Sequence, residues 1–138
     1  MKNKEQISVT IGITLTVIFC FIIFMMPFFR IGPDIKEHTS IAQQRYPNEA
    51  TAEDALIAYL EDTTNSPRDR GDIAIWTLGQ IHSKKALSIL KGIYKNDPKG
   101  KTCHGKHDSV LCQKGIHTAI ETIENYYYTE FSSPVIKK

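Results

Sequence analysis

The longest apolar run of the chain lies close to its N-terminus, where residues 7–29 contain no charged side chain. A helix rises about 1.5 Å per residue and the hydrocarbon core of a bilayer is about 30 Å thick, so this run is long enough to span it. A cleaved signal peptide has a shorter apolar segment followed by small residues, which the Met-Met-Pro-Phe-Phe-Arg exit lacks. The pattern therefore predicts a tail over residues 1–6 and an uncleaved, single-pass transmembrane helix over residues 7–29, in contact with the lipid bilayer.

The positive residues on either side of this run bear on its orientation. Lys2 and Lys4 precede it, and Arg30 and Lys36 follow it. The free amino group adds a third positive charge to a very short tail, and positive charge favours the cytoplasmic side. We therefore expect a cytoplasmic N-terminus and an extracytoplasmic C-terminal domain.

Beyond the apolar run, the pattern changes to amphipathic segments separated by breaks. A stalk with glycine and proline covers residues 30–48, and a loose tail covers residues 131–138. Between them the apolar residues recur at helical spacing and no strand pattern occurs, which predicts an all-α domain over residues 49–130. Its four helices are expected near residues 51–62, 66–81, 84–94 and 108–128.

Side chains that cap helices stand at two of the predicted starts. Thr51 precedes an acidic residue, Asp54, at the capping-box spacing. Ser66 is followed directly by Pro67, and proline is favoured at the first helical position. We therefore expect helices to begin just after Thr51 and just after Ser66.

Two adjacent predicted helices carry the pattern of a known repeat. An Ala-x-x-x-Leu-Gly-x-Ile helix is followed, across a tight turn, by an x-Ala-Leu-x-x-Leu helix; the matching residues are Ala74, Leu78, Gly79, Ile81, Ala86, Leu87 and Leu90. The chain thus resembles a HEAT-like repeat protein of the type also found in chromophore lyases, here with an N-terminal membrane anchor. The resemblance implies an α-α hairpin in which Gly79 permits close packing of the two helices.

The same resemblance implies a role in binding another protein, because such repeats mostly present surfaces to partners. The expected partner surface is the concave side of the helix pair between Ile73 and Tyr94, with the candidate residues Trp76, Lys84, Lys85, Lys91 and Lys95. The formal net charge is only +2, and the lysines lack interleaved aromatic residues, which argues against a nucleic-acid binder.

Cys103 and Cys112 flank a polar loop before the last predicted helix, and three interpretations of them stay open. A disulfide would close a short loop and stabilise the domain by about 2–3 kcal/mol. A zinc site would use Cys103, His107 and Cys112 with His104 or His117. However, residues five apart on a helix lie about 140° apart around its axis, which is poor geometry for placing Cys112 and His117 on one ion. The third interpretation is two reduced thiols with solvent-facing histidines. Cys20, the remaining cysteine, is expected to be a small apolar residue within the membrane helix.

The sequence contains no phosphate-binding glycine loop, nucleophile elbow or zinc-protease helix, and it identifies no small-molecule substrate. We therefore expect a membrane-anchored scaffold or adaptor that binds an unknown protein partner, is not an enzyme and needs no cofactor. The alternative is a metal- or redox-responsive module built on the loop that carries Cys103, His107 and Cys112, with zinc as its metal. An enzyme related to the chromophore lyases is a third class.

Overall fold

The computed structural model describes the backbone of residues 2–132 and the side chains of residues 14–23 and 31–128. All regular structure in this range is helical, which confirms the prediction of an all-α chain. The elements are α1 (Lys2–Arg45), α2 (Ala52–Glu61), α3, α4 (Lys84–Ile93), a short 3₁₀ turn (Lys101–Cys103) and α5 (Gln113–Ser132). Helix α3 consists of three consecutive segments, Pro67–Asp69, a π-helical segment Arg70–Ile75, and Trp76–Gln80.

The prediction of a transmembrane helix is wrong. Among the residues that the structure describes, no helix is long and apolar enough to cross a membrane. The expectation of a single-pass membrane protein with an extracytoplasmic domain is corrected accordingly.

The predicted stalk is helical over most of its length. Helix α1 continues through Gly32 and Pro33 and ends at Arg45. Proline removes one backbone hydrogen bond but has a φ close to that of a helix, so a long helix can accommodate it at a cost. The chain divides into two compact units between Asp34 and Ile35. The second unit, described below, contains the last turns of α1 and all later elements. Residues 133–138 of the predicted tail lie outside the described residues.

The two predicted caps are confirmed. The hydroxyl oxygen of Thr51 accepts a hydrogen bond from the backbone N–H of Asp54, at the start of α2. The hydroxyl oxygen of Ser66 accepts one from the backbone N–H of Asp69, with Pro67 at the first position of α3. These bonds satisfy backbone donors that a helix start leaves unpaired, so both starts follow from local sequence.

The core of the second unit is formed by one face of each of its helices. Its most deeply buried members are small and aliphatic: Ala42, Ala55, Leu56, Leu60, Ala74, Ile75, Leu78, Ala86, Leu90, Ile116, Ala119 and Ile123. Removal of this apolar surface from water is the main force that holds the helices together.

Helix α5 packs against both α3 and α4. It comes close to α3 at Gly79, where a Cβ atom would lie 3.1 Å from both Cα and Cβ of Ala119. The close contact expected of Gly79 is therefore made with α5, and not with the next helix of the predicted α-α hairpin. The resemblance to a HEAT-like repeat itself stays a prediction.

Helix α5 begins at Gln113, several residues after the predicted start at about Asp108. The preceding residues form turns, in which the backbone N–H groups of Ser109 and Val110 donate to the carbonyl oxygen of Lys106. The later start leaves Cys112 in the loop and not on the helix. This placement is important for the site described below.

A polar network closes the end of the core between α1 and α2. The Tyr46 hydroxyl donates to Oδ2 of Asp62 at 2.6 Å, and Nδ2 of Asn65 donates to the Tyr46 oxygen at 2.9 Å. The buried Asn65 amide also donates to the carbonyl oxygen of Tyr59 at 2.9 Å. The hydrogen bond from Tyr46, with further bonds from Thr64, lowers the pKa of Asp62 from 3.8 to about 2.

This network predicts a contribution to acid stability. Because the pKa of Asp62 is lower in the folded state, its stabilising effect is fully present above about pH 4 and is lost as the pH falls towards 2. We expect Tyr46→Phe to reduce the fall in unfolding free energy between about pH 4 and pH 2, as measured by urea unfolding followed by circular dichroism. Glu49→Gln, an exposed change nearby, is the control. Equal slopes in Tyr46→Phe and the unaltered chain would contradict the prediction.

Candidate functional site

The segment between α4 and α5, residues 94–112, carries the cysteine pair and is called here the cysteine loop. Three of its residues have left-handed backbone conformations: Asn96 with φ 55°, Gly100 with φ 64° and Gly105 with φ 69°. Asparagine and glycine adopt this region at lower cost than other residues. These turns fold the loop back on itself, so residues far apart along it come close together.

The carboxylate of Asp97 organises the first half of the cysteine loop. Its Oδ1 accepts from the backbone N–H of Lys101 at 3.1 Å. Its Oδ2 accepts from the backbone N–H and the hydroxyl of Thr102, at 2.9 Å and 2.8 Å. These bonds, led by the backbone N–H of Thr102, lower the pKa of Asp97. The carboxylate thereby holds the 3₁₀ turn that ends at Cys103.

The Sγ atoms of Cys103 and Cys112 lie 2.01 Å apart, which is disulfide distance. Cys103 is buried and Cys112 is partly exposed. Gly100 packs directly on the pair: a Cβ atom there would lie 3.0 Å from Sγ of Cys103 and 3.3 Å from Sγ of Cys112. The same Cβ would lie 2.9 Å from Cβ of Lys114. The absent side chain of Gly100 thus makes room for both sulfur atoms.

A second tie between the ends of the cysteine loop does not involve sulfur. The buried side chain of Gln113 accepts, through Oε1, from the backbone N–H of Lys95 at 2.6 Å. Its Nε2 donates to the carbonyl oxygen of Ile93 at 3.5 Å. The start of α5, next to Cys112, is therefore joined to the end of α4 by a buried amide.

His107 is the histidine that the fold brings to the cysteine pair. A nitrogen of its imidazole and the two Sγ atoms all lie within 4.8 Å of one another. His117, the other proposed ligand, has its contacts elsewhere: its Nδ1 lies 3.1 Å from Oε2 of Glu121 and its ring lies 5.5 Å from that of Tyr94. The exposed His104 is likewise not part of the group.

A cleft of about 310 Å³ lies between α3 and the first turns of α5, and the cysteine loop forms part of its wall. We call it the α3–α5 cleft. Ile75, Trp76 and Ala119 contribute its apolar lining, and Cys112 and His107 contribute from the loop. The other lining residues are small or polar: Gly71, Asp72, Gly79, Gln80, Lys114, Gly115, Thr118 and Thr122.

The α3 wall of the cleft contains the π-helical segment Arg70–Ile75. Such turns are rare and occur frequently at functional sites. Trp76, which follows this segment, is supported on another side by His38, whose ring lies edge-on at 5.5 Å. Nδ1 of His38 is also 2.9 Å from the buried hydroxyl of Thr77. The indole is therefore held between the core and the cleft.

The structure separates the residues of the predicted partner surface. Trp76 lines the α3–α5 cleft, whereas Lys84 lies over the ring of Tyr127, with Nζ 5.5 Å from the ring centroid. Nζ of Lys85 lies 3.1 Å from Oδ1 of Asp54, and Nζ of Lys91 lies 2.5 Å from Oε1 of Glu124. The side chain of Lys95 is exposed. Three of the four lysines are thus engaged within the chain, and Trp76 lines a different surface from Lys84.

Several residues of the site are not evident from the sequence. Gly100 follows an Asp-Pro-Lys turn, which signals a loop but not its contact with the sulfur atoms. His38 precedes the predicted domain and has no local pattern that would connect it with Trp76. The cleft itself arises only because α3 and α5 pack together around Gly79 and Ala119.

No family model matches the chain, and neither a curated protein nor a solved structure is significantly similar to it.

Proposed function

We propose that this chain is a non-catalytic protein-binding module whose binding cleft is controlled by the thiol state of Cys103 and Cys112. The observation that carries this proposal is the position of Cys112. Its side chain is one half of the cysteine pair and also part of the wall of the α3–α5 cleft. Any change in the bond between the two sulfur atoms therefore acts directly on the shape of the cleft.

The lining of the cleft supports binding of a partner segment with an apolar side chain. Trp76 provides a partly exposed apolar surface, and Ile75 and Ala119 also stand in the wall of the cleft. Asp72 and Lys114 stand among the polar lining residues and can pair with charges or amides of a partner backbone. Pockets of this kind combine a mostly apolar surface with a few orienting polar groups.

Binding is favoured over catalysis by the arrangement of reactive groups in the described part of the cleft. His107 and Asp72 line it, but neither forms the hydrogen-bonded series of nucleophile, base and orienting group that identifies a covalent catalyst. The sulfur atoms bond with each other and not with a general base. A regulated binding surface can use His107, Asp72 and the two sulfur atoms without a hydrogen-bonded nucleophile and base.

The response of the cleft to the thiol state is measurable through Trp76, since the chain has a single tryptophan. In a Cys20→Ser background, we expect reduction by a water-soluble phosphine to change the emission of Trp76 and its quenching by acrylamide. Hydrogen exchange should increase in the cysteine loop and in the first turns of α5. The matched control is Cys103→Ser/Cys112→Ser, in which the reductant should have no effect.

Partner binding is testable with a random peptide library displayed on phage and selected on the oxidised protein. We expect selected peptides to share a large apolar residue and to bind less tightly after reduction. Thr118→Trp, which fills the cleft from an exposed position, should abolish their binding, while Thr63→Trp at a distant exposed position should not. Unchanged tryptophan emission and exchange on reduction would refute the proposed control, and peptides indifferent to Thr118→Trp would refute the proposed cleft.

A further inference from the structure

We propose that the reduced cysteine loop binds one Zn²⁺ ion through Sγ of Cys103, an imidazole nitrogen of His107 and Sγ of Cys112. This inference deepens the proposed function, on which it rests only for the existence of a reducible cysteine pair. The chain would then have two exclusive states, because two sulfur atoms that are bonded to each other cannot act as thiolate ligands.

The three candidate ligand atoms lie close to one another. They all lie within 4.8 Å of one another. In a tetrahedral site with Zn–S bonds of about 2.3 Å and a Zn–N bond of about 2.0 Å, the ligand atoms are separated by about 3.5–3.8 Å. To take up the ion, the two Sγ atoms must therefore separate from 2.01 Å to about 3.8 Å, with the imidazole nitrogen of His107 about 3.5 Å from each.

The fold keeps the ligands together when the disulfide is opened. The Gln113 amide joins the start of α5 to Lys95, and the Asp97 carboxylate holds the turn that ends at Cys103. The backbone N–H of Lys106 donates to the carbonyl oxygen of Cys103 at 3.0 Å, which places the turn that carries His107 next to that cysteine. None of these bonds involves sulfur.

The segment after His107 is also anchored from outside the loop. Nε of Arg68, near the start of α3, lies 2.6 Å from Oδ1 of Asp108. This exposed ion pair contributes little stability, but it ties the residue after His107 to α3. His107 is therefore presented to the sulfur atoms and to the cleft from a constrained turn.

The charges of the site are compatible with a thiolate-bound cation. The cysteine loop is rich in lysine, so a metal held by neutral ligands would be repelled by the net positive surroundings. Two thiolates and one neutral imidazole cancel the double charge of Zn²⁺ and avoid this repulsion. Three protein ligands leave the fourth coordination position to water or to a group from a partner in the cleft.

The conversion balances with a dithiol as reductant. The dithiol transfers two electrons and two protons to the Cys103–Cys112 bond, whose sulfur atoms become thiols, and is itself oxidised to a disulfide. Zn²⁺ then displaces the two thiol protons, which pass to solvent, as the two Zn–S bonds form. A small-molecule disulfide reverses the sequence: it accepts two electrons from the two thiolates and two protons from solvent, becoming a dithiol, while the Cys103–Cys112 bond forms and the ion is released.

The experiment is a Co²⁺ titration of the full chain carrying the Cys20→Ser change. One sample is oxidised, and the other is reduced with a phosphine, which takes up oxygen from water and becomes its oxide. We expect the reduced protein to bind one Co²⁺, with near-ultraviolet thiolate-to-cobalt charge-transfer absorption that Zn²⁺ abolishes. The oxidised protein should show no such absorption. Native mass spectrometry should show one zinc per reduced chain.

The matched pair of variants is His107→Asn and His104→Asn, two exposed changes on the same loop. We expect His107→Asn to weaken Zn²⁺ binding by at least about tenfold, and His104→Asn to leave it unchanged. Absence of charge transfer in the reduced chain, or equal affinities of the two variants, would overturn the proposal. Failure of the zinc proposal can be told apart from failure of the proposed function. The Trp76 emission measurement tests the cleft without metal, and the Co²⁺ titration tests metal binding whether or not the cleft responds.

Discussion

Gly79→Val is expected to destabilise the second unit by about 2–3 kcal/mol. The added side chain would have to enter a contact in which a single Cβ atom already lies 3.1 Å from the Cα atom of Ala119. Because that neighbour is backbone, it cannot rotate away as a long side chain does. Helices α3 and α5 would have to separate, which disrupts the packing of Leu78 and Ile123 as well.

The measurement is urea unfolding followed by circular dichroism, with Gly92→Val as the matched control. Gly92 stands in α4, and a Cβ atom there would meet nothing within 4 Å. Valine and glycine have similarly poor helix propensities, so this change should alter stability by less than about 0.5 kcal/mol. Equal stability of the two variants would contradict the prediction, because it would mean that the contact between Gly79 and Ala119 can accept a side chain.

The second large effect is expected from the cysteine pair. A bond between Cys103 and Cys112 closes a loop with a sequence separation of 9. In the chain-entropy picture it stabilises the fold by about 2.5–3 kcal/mol, because the unfolded chain loses conformations. We therefore expect Cys103→Ser/Cys112→Ser to lower the unfolding free energy by about that amount under oxidising conditions, measured by the same urea titration.

Reductant and a third cysteine provide the controls for this effect. Under a phosphine reductant, the unaltered chain and Cys103→Ser/Cys112→Ser should have nearly equal stabilities, since neither has the crosslink. Cys20→Ser changes an exposed cysteine outside the second unit and should not affect the difference. A stability difference that persists in reductant would show that the sulfur atoms act through packing beside Gly100 and not through the bond.

Local features of the fold were predictable because their causes act over a few residues. The caps at Thr51 and Ser66 are confirmed because each cap bond joins residues three apart in the chain. The buried positions of α2 likewise follow from helical spacing of its apolar residues. Ile81 is an instructive exception: it continues the apolar spacing of α3 but is exposed, because the helix ends at Gln80.

Features that depend on distant contacts were predicted less well. The last helix was expected to begin near Asp108, but that residue pairs with Arg68, forty positions earlier in the chain, and the helix begins at Gln113. The transmembrane prediction rested on the length and apolarity of residues 7–29 and on the absence of a cleavage site, but no described helix meets the requirement for crossing a membrane. The π-helical segment has no local signal in the sequence.

The all-α class, the helix starts at Thr51 and Ser66, and the cysteine and histidine residues able to hold a metal were all evident from the sequence. These follow from periodicity and from hydrogen bonds between near neighbours. The packing of the helices was needed to show that Gly79 contacts Ala119, and that His107 and not His117 joins the cysteine pair. It also placed Cys112 in the wall of the α3–α5 cleft. Such choices depend on how whole helices pack, because the energy of packing is shared among residues that are far apart in the chain.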